Sequence, residues 1–325
     1  MLPKKILLVM PDYSDFPQLF LKNLEKLGFS AEVMKENPSE FRYKGFEKII
    51  NFFRKTFLKD KSYKKKLAAE YKLKEYHRVI GEIEGKLDYI LVIRPDAFPV
   101  SVIQELKKKT NKLIAYQWDG IKKFPEIKNY FSLFDSFFCF DNEDVDLHLK
   151  PITNFYFDFA PPVYKAYNKV KPRLYFVGLF WENRREKIDT FIENVSKLNV
   201  ELDFFMQFTE KSQIKNPKIK YIKDRISFSD NLKNVENADV LLDFVDPNHN
   251  GLSIRFFEAL YYKKKVITDN ITVKEYDFYN PNNIFVIENN YQDIAAFLEK
   301  PYFDIPKEIV DQYGFSNWIK QIIEN

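Results

Sequence analysis

One cysteine, Cys139, stands in 325 residues. That excludes a disulfide framework and any zinc site built on cysteines. Glycine is also scarce, at 8, so few glycines are spent on generic turns and each one points to a special backbone position. Neither a G-x-G-x-x-G nor a Walker A sequence occurs, which argues against ordinary dinucleotide and P-loop sites. No stretch approaches the roughly 20 apolar residues that cross a bilayer. The opening apolar run, Ile6 to Met10, is too short for a secretion signal. The expectation is a soluble cytoplasmic protein.

What is present points to a globular chain. Hydrophobic residues make up 45% and charged residues 30%, outside the disordered range. Phe and Tyr number 33 and 20, which predicts a bulky core and stacking surfaces. The net charge of +4 is uneven. From Phe41 to Arg78 there are 13 Lys/Arg against four Asp/Glu, a net of +9, so the rest carries −5. Within that segment Phe46, Ile49, Ile50, Phe53 and Phe57 form a helical apolar stripe, followed by Lys64-Lys65-Lys66. Three readings stay open: a solvated helical insertion, peripheral contact with an anionic membrane, or, least favoured, nucleic-acid binding.

Apolar runs alternate with amphipathic segments throughout. Strands are expected at 5–10, 31–34, 87–93, 113–118 and 136–140, with a last extended run at 153–159. Helices are expected at 16–27, 100–109 and 121–131. The second half repeats the logic, with strands near 173–180, 202–208, 219–222, 240–245, 265–268 and 284–287, helices near 184–198, 230–237, 252–262 and 291–298, and a helical tail at 306–323. Strands apolar along their whole length imply parallel sheets covered on both faces. Pro161, Pro162, Asn168 and Pro172 mark a linker. The expected fold class is therefore α/β, with two Rossmann-like domains facing a central cleft. Residues 1–164 carry the basic helical insertion (41–84), and residues 165–325 end in a helix at 306–325 that packs back on the first domain.

Open α/β sheets bind ligands beyond the carboxyl ends of their strands. One such loop places Gly178 after a strand, with Arg184 and Arg185 opening the next helix. A glycine permits close backbone approach, and a helix start with arginines suits a phosphate. The alternative is a strand-to-helix turn with solvated arginines. A second loop runs from His249 through Asn250, Gly251, Leu252 and Ser253 into a helix carrying Arg255 and Glu258 three residues apart. An intrahelical ion pair is the plain reading of those two. Asp144-Val145-Asp146 has the spacing of a metal-binding D-x-D, but 141–144 reads more simply as an acidic first turn, and no metal is expected.

The run Gly251 to Leu260, followed by Val266 to Asn270, resembles the nucleotide-sugar loop and helix of GT-B glycosyltransferases, in the style of spore-maturation-type and bacterial polysaccharide or lipopolysaccharide transferases. Glu258 matches the second acid of their Glu-x7-Glu motif, and Asn250 stands where the first would be. The segments Tyr175 to Gly178, Ile222 to Ser227 (with Arg225) and Ala238 to Asp243 are similar to the flanking parts of the donor domain. The resemblance implies metal-independent transfer of a sugar from a UDP- or GDP-type donor to a glycan or lipid-linked acceptor, with no permanently bound cofactor. It places Glu258 on the ribose hydroxyls, with Asn250 and Leu252 nearby in the donor loop. Arg184, Arg185, Arg255 and the amides of Gly251 to Ser253 would meet the pyrophosphate. Asp119, on a turn after a buried strand, and His249 are the candidate bases. Asp119 also reads as a helix N-cap, and His77 and His148 as surface residues. A non-catalytic binding protein on the same fold is the alternative function.

Overall fold

The computed structural model describes residues 3–37, 40–145, 149–180, 182–208, 216–245, 250–288 and 290–325, the side chains of Glu182 and Asn183 excepted. The first sheet contains β1 (Lys5–Met10), β2 (Ser30–Lys35), β3 (Leu87–Ile93), β4 (Thr110–Gln117), β5 (Ser136–Cys139) and the short β6 (Lys150–Pro151). All pairs are parallel, in the order β2-β1-β3-β4-β5-β6. Its helices are α1 (Phe16–Lys26), α2 (Glu47–Phe57), α3 (Tyr63–Gly81) and α4 (Val100–Lys108). The burial explains the unbroken apolar strands: Ile6, Leu8 and Met10 enter one core cluster, while Leu7 and Val9 enter another on the opposite face.

The second sheet contains β7 (Arg173–Leu179), β8 (Glu201–Gln207), β9 (Ile219–Ile222), β10 (Val240–Asp243), β11 (Lys265–Thr268) and β12 (Ile284–Val286). It too is wholly parallel, in the order β12-β11-β10-β7-β8-β9. Helices α5 (Glu182–Val195), α6 (Phe228–Asn237), α7 (Ile254–Tyr261) and α8 (Ile294–Glu299) cover it, and α9 (Lys307–Gln312) and α10 (Phe315–Glu324) follow. Two Rossmann-like domains are thus present, as the apolar strand pattern implies. The strand orders reverse direction between β1 and β3 in the first sheet and between β7 and β10 in the second. Such switch points open crevices at the carboxyl ends.

Three local expectations are corrected. The segment 121–131 is not a continuous helix but a turn followed by a 3₁₀ stretch at Pro125–Leu133, because Pro125 removes an amide donor. The tail 306–323 is two helices, interrupted at Gly314. There Phe315 N donates to Tyr156 O at 2.8 Å and Tyr156 N to Tyr313 O at 3.1 Å. A Cβ on Gly314 would lie 2.8 Å from Asp158 Oδ2, so the close approach requires glycine. The extended run at 153–159 is accordingly no ladder strand and pairs with the tail through a single bridge, Tyr156 to Gly314.

Beyond Gly314, α10 returns to the first lobe. Phe315, Trp318, Ile319 and Ile322 lie in the same cluster as Ile6, Leu8 and Phe20. Lys112 Nζ donates to Ile323 O at 2.8 Å.

Candidate active site

A cavity of about 370 Å³ opens between the carboxyl ends of the two sheets. The first lobe contributes Tyr13, Ser14, Phe16, Trp118, Phe140, Asn154 and Phe155 to its wall, and the second contributes Arg225, Ile226, Phe228, Ser253 and Ile254. Tyr13 follows β1 and Trp118 follows β4, while Arg225 follows β9 and Ser253 stands at the N-cap position of α7. Most of this lining is aromatic or aliphatic. The Tyr13 and Trp118 rings are 5.5 Å apart, and the Arg225 guanidinium lies 5.0 Å from the Tyr13 ring centre. Flat apolar faces with one cation at the rim can hold a sugar ring or a base beside a phosphate.

The lobes are fastened around this cavity by contacts that local sequence patterns do not reveal. Asp15 occupies the N-cap position of α1 but makes no cap bond there. Its carboxylate instead accepts from Phe228 N at 2.6 Å and Ser229 N at 3.0 Å, capping α6 of the other lobe. Phe16 and Phe228 pack with ring centres 4.5 Å apart. Asn250 N donates to Asp141 Oδ2 at 2.8 Å and its Nδ2 to Glu143 Oε1 at 2.5 Å. Asn154 Nδ2 donates to Leu252 O at 2.9 Å. Burial would raise the Asp15 carboxyl, but the Ser229 and Phe228 donors outweigh it and hold the group below its ordinary value of 3.8. Its contribution is therefore present above pH 3.8 and fades as the pH falls through the lower folded value. Asp15→Ala should cost about 1–2 kcal/mol at pH 7, as for a lost N-cap, and the deficit should be smaller at pH 3, below the ordinary carboxyl value. Urea unfolding at the two pH values checks this.

The residues of the resemblance come together only in part. Gly251 meets the first lobe: a Cβ there would lie 2.6 Å from the Phe140 ring and 2.7 Å from Phe140 O. Ser253 Oγ donates to Asp243 Oδ1 at 2.7 Å. Arg255 Nη1 donates to the same oxygen at 2.7 Å, and its Nη2 donates to Val177 O at 2.7 Å. Arg255 therefore bridges β10 and β7 across the switch point and braces the site from within the sheet. Gly178, Arg184 and Arg185 lie at the end of β7 and the start of α5, where Arg184 Nη1 would come within 3.4 Å of a Cβ on Gly178 and Arg185 pairs with Asp189 at 3.2 Å. Lys187, overlooked in the sequence because helical lysines are common, pairs with Asp269 at 2.5 Å beyond β11.

Glu258 stands one helical turn after Ile254, on the same face of α7. It is 2% exposed, and its Oε1 has no hydrogen-bond partner among the described residues. Burial raises its pKa from 4.5 to about 7, against a smaller lowering by Arg255. A buried carboxylate with an unused acceptor is costly unless a ligand supplies donors.

Of the candidate bases, His249 lies outside the described residues. Asp119 is held by Arg94 and by Lys123, the latter at 3.2 Å, and it is not among the residues lining the cavity. Arg94 itself takes a left-handed backbone conformation (φ 55) at the end of β3. It is fixed by a fork to Asp96 at 2.8 and 2.6 Å and by the Phe124 ring at 3.8 Å. Asp144 of the D-x-D pair accepts from Ile121 N at 2.8 Å, and burial raises its pKa. Asp146 and His148 lie outside the described residues. His77 is surface-exposed and contacts Glu105.

Two lobes joined at a cleft, each a parallel Rossmann-like sheet, define the GT-B architecture. The chain is similar over its whole length to an alpha-glucosyltransferase solved with UDP and a DNA containing an HMU base: 12% identity, TM-score 0.55, covering 99% of this chain and 100% of that one. It is also similar to TarM, at 11% identity and TM-score 0.54, covering 78% of this chain and 58% of TarM. No protein-family profile matches the chain, and no curated protein sequence does. At these identities the likeness is one of fold.

Proposed function

We propose that the protein is a glycosyltransferase that binds a nucleotide-sugar donor, of UDP or GDP type, on the second lobe and transfers its sugar to a glycan or lipid-linked acceptor held by the first. The observation that carries this reading is the aromatic-walled cavity between the carboxyl ends of both sheets, with Arg225 on its rim and, one turn behind it, Glu258, whose Oε1 finds no hydrogen-bond partner among the described residues. In this reading Glu258 accepts from the ribose hydroxyls, and the start of α7 turns its amide dipoles toward the diphosphate. Arg184, Arg185 and Arg225 balance the negative charge that develops on the leaving nucleotide as the glycosidic bond to the sugar breaks. Trp118 and Tyr13 present ring faces to a sugar.

Thermal shift against UDP, GDP and CMP with their sugars tests the donor site. One nucleotide should raise the melting temperature, and Arg225→Ala should weaken its binding about tenfold, the loss of one charge-assisted contact. No stabilisation by any nucleotide would end this reading.

A second reading, binding without turnover, is favoured by Asn250. It stands at the first acid position of the motif, and its side chain and amide tie the lobes together through Glu143 and Asp141. Nucleotide binding with no sugar released or transferred in the presence of glycan extracts would support it.

A further inference from the structure

We propose that α2 is a docking surface for an anionic lipid bilayer, lying in the headgroup layer with its apolar side chains turned toward the acyl chains. No residue of this 11-residue helix is buried. Phe46 is 76% exposed, Ile49 53%, Phe53 55%, Phe57 68% and the following Leu58 71%. Phe46, Ile49, Phe53 and Phe57 repeat at helical spacing on one face, and the Phe53 and Phe57 rings stack 5.3 Å apart. Isolated apolar residues on a surface need no explanation, but a contiguous face of this kind marks a binding site.

Charge selects the occupant. Lys48, Arg54 and Lys55 lie on the helix, and Lys59, Lys61 and Lys64 to Lys66 follow directly. A second copy of the chain would bring one net +9 segment against another. Nucleic acid would satisfy the lysines but give the aliphatic and phenyl groups no apolar medium. An anionic bilayer satisfies both. The helix is anchored well enough to present one face: Asn51 Nδ2 donates to Tyr43 Oη at 3.1 Å, and the Arg54 guanidinium packs 4.6 Å from the Tyr63 ring centre.

Topology sets where this face lies. Glu36, just past the carboxyl end of β2, contacts Lys72 and Tyr76 in the middle of α3. The nine residues of α3 before Lys72 therefore project roughly 13 Å past that end of the sheet. They carry α2 with them, on the side of the first lobe where the cavity opens.

Co-sedimentation with phosphatidylcholine vesicles containing about a third phosphatidylglycerol tests the proposal on the full chain. Binding should exceed that to pure phosphatidylcholine by about tenfold or more. Lys48→Gln with Lys55→Gln should weaken it about twentyfold, and Phe53→Ser with Phe57→Ser about a hundredfold. All four side chains are exposed, so the melting temperature should not change. Equal binding to uncharged vesicles, or undiminished binding by the serine variant, would overturn the proposal. So would self-association abolished by the same serines without vesicle binding, or capture of RNA with no vesicle binding.

Discussion

Glu258→Gln should make the protein more stable at pH 8 and, on the proposed function, poorer at binding a nucleotide. The folded chain keeps the Glu258 proton up to about pH 7, whereas an unfolded chain releases it near 4.5. Between those values the native state holds the extra proton, so wild-type stability declines as the pH rises through this window and levels off above 7. Glutamine carries no charge to desolvate. The variant should match the wild type near pH 4 and exceed it by about 2 kcal/mol at pH 8, after allowing for an amide left equally unpartnered. Nucleotide affinity should fall about tenfold or more, because two hydroxyl donors lose a charged acceptor. Urea midpoints at pH 4 and 8, with nucleotide titrations at pH 8, give both readings. A stability difference that does not change with pH, or an unaltered affinity, would show that this carboxylate carries no such burden. A residue retained at a stability cost because it serves binding is the usual trade at functional sites.

Gly251→Ala should damage the protein severely. Its Cβ would meet Phe140 O at 2.7 Å as well as the ring at 2.6 Å. A ring can turn, but a strand-end carbonyl cannot. The lobes must move apart, and the adjoining bonds from Asn250 to Asp141 and Glu143 and from Asn154 to Leu252 move with them. The expected result is a loss of about 2 kcal/mol in stability, as for an overpacked core, and a drop of about a hundredfold in any sugar transfer, as for reacting groups displaced by an ångström. Scattering should show a larger radius of gyration. Gly178→Ala is the control, since its Cβ at 2.8 Å meets only the far end of the Phe176 ring, with Arg184 at 3.4 Å. Equal behaviour of the two variants would refute the steric argument.

The contrast between these glycines shows how far the sequence could be read. Gly178 lies near the end of β7 ahead of α5 and Gly251 just ahead of α7, and composition made each conspicuous. The apolar runs at 5–10, 87–93 and 265–268 coincide with β1, β3 and β11, because a strand buried on both faces has no polar side to blur its pattern. The site was legible only where its chemistry is local. Glu258 could be singled out on its helix, but the absence of a partner for its oxygen depends on what the fold leaves around it. Asp15 stands at the N-cap position of its own helix, and nothing nearby in sequence indicates that it caps α6 instead, 213 residues away. Arg255 carries a charge suited to phosphate, yet a carboxylate on β10 and a carbonyl on β7 have already claimed it. Pro125 stands inside the expected helix at 121–131 and interrupts it, and the break at Gly314 follows from the Tyr156 stretch, which no periodicity reveals.

The return of α10 has a consequence for how the chain comes to be folded. Trp318 and its neighbours fill space between β1, β4 and α1, all of which are synthesised about two hundred to three hundred residues earlier. During translation that interior stands open until residues 315–322 have left the ribosome. The amino-terminal half, ordinarily the first to settle, is here the last to be sealed.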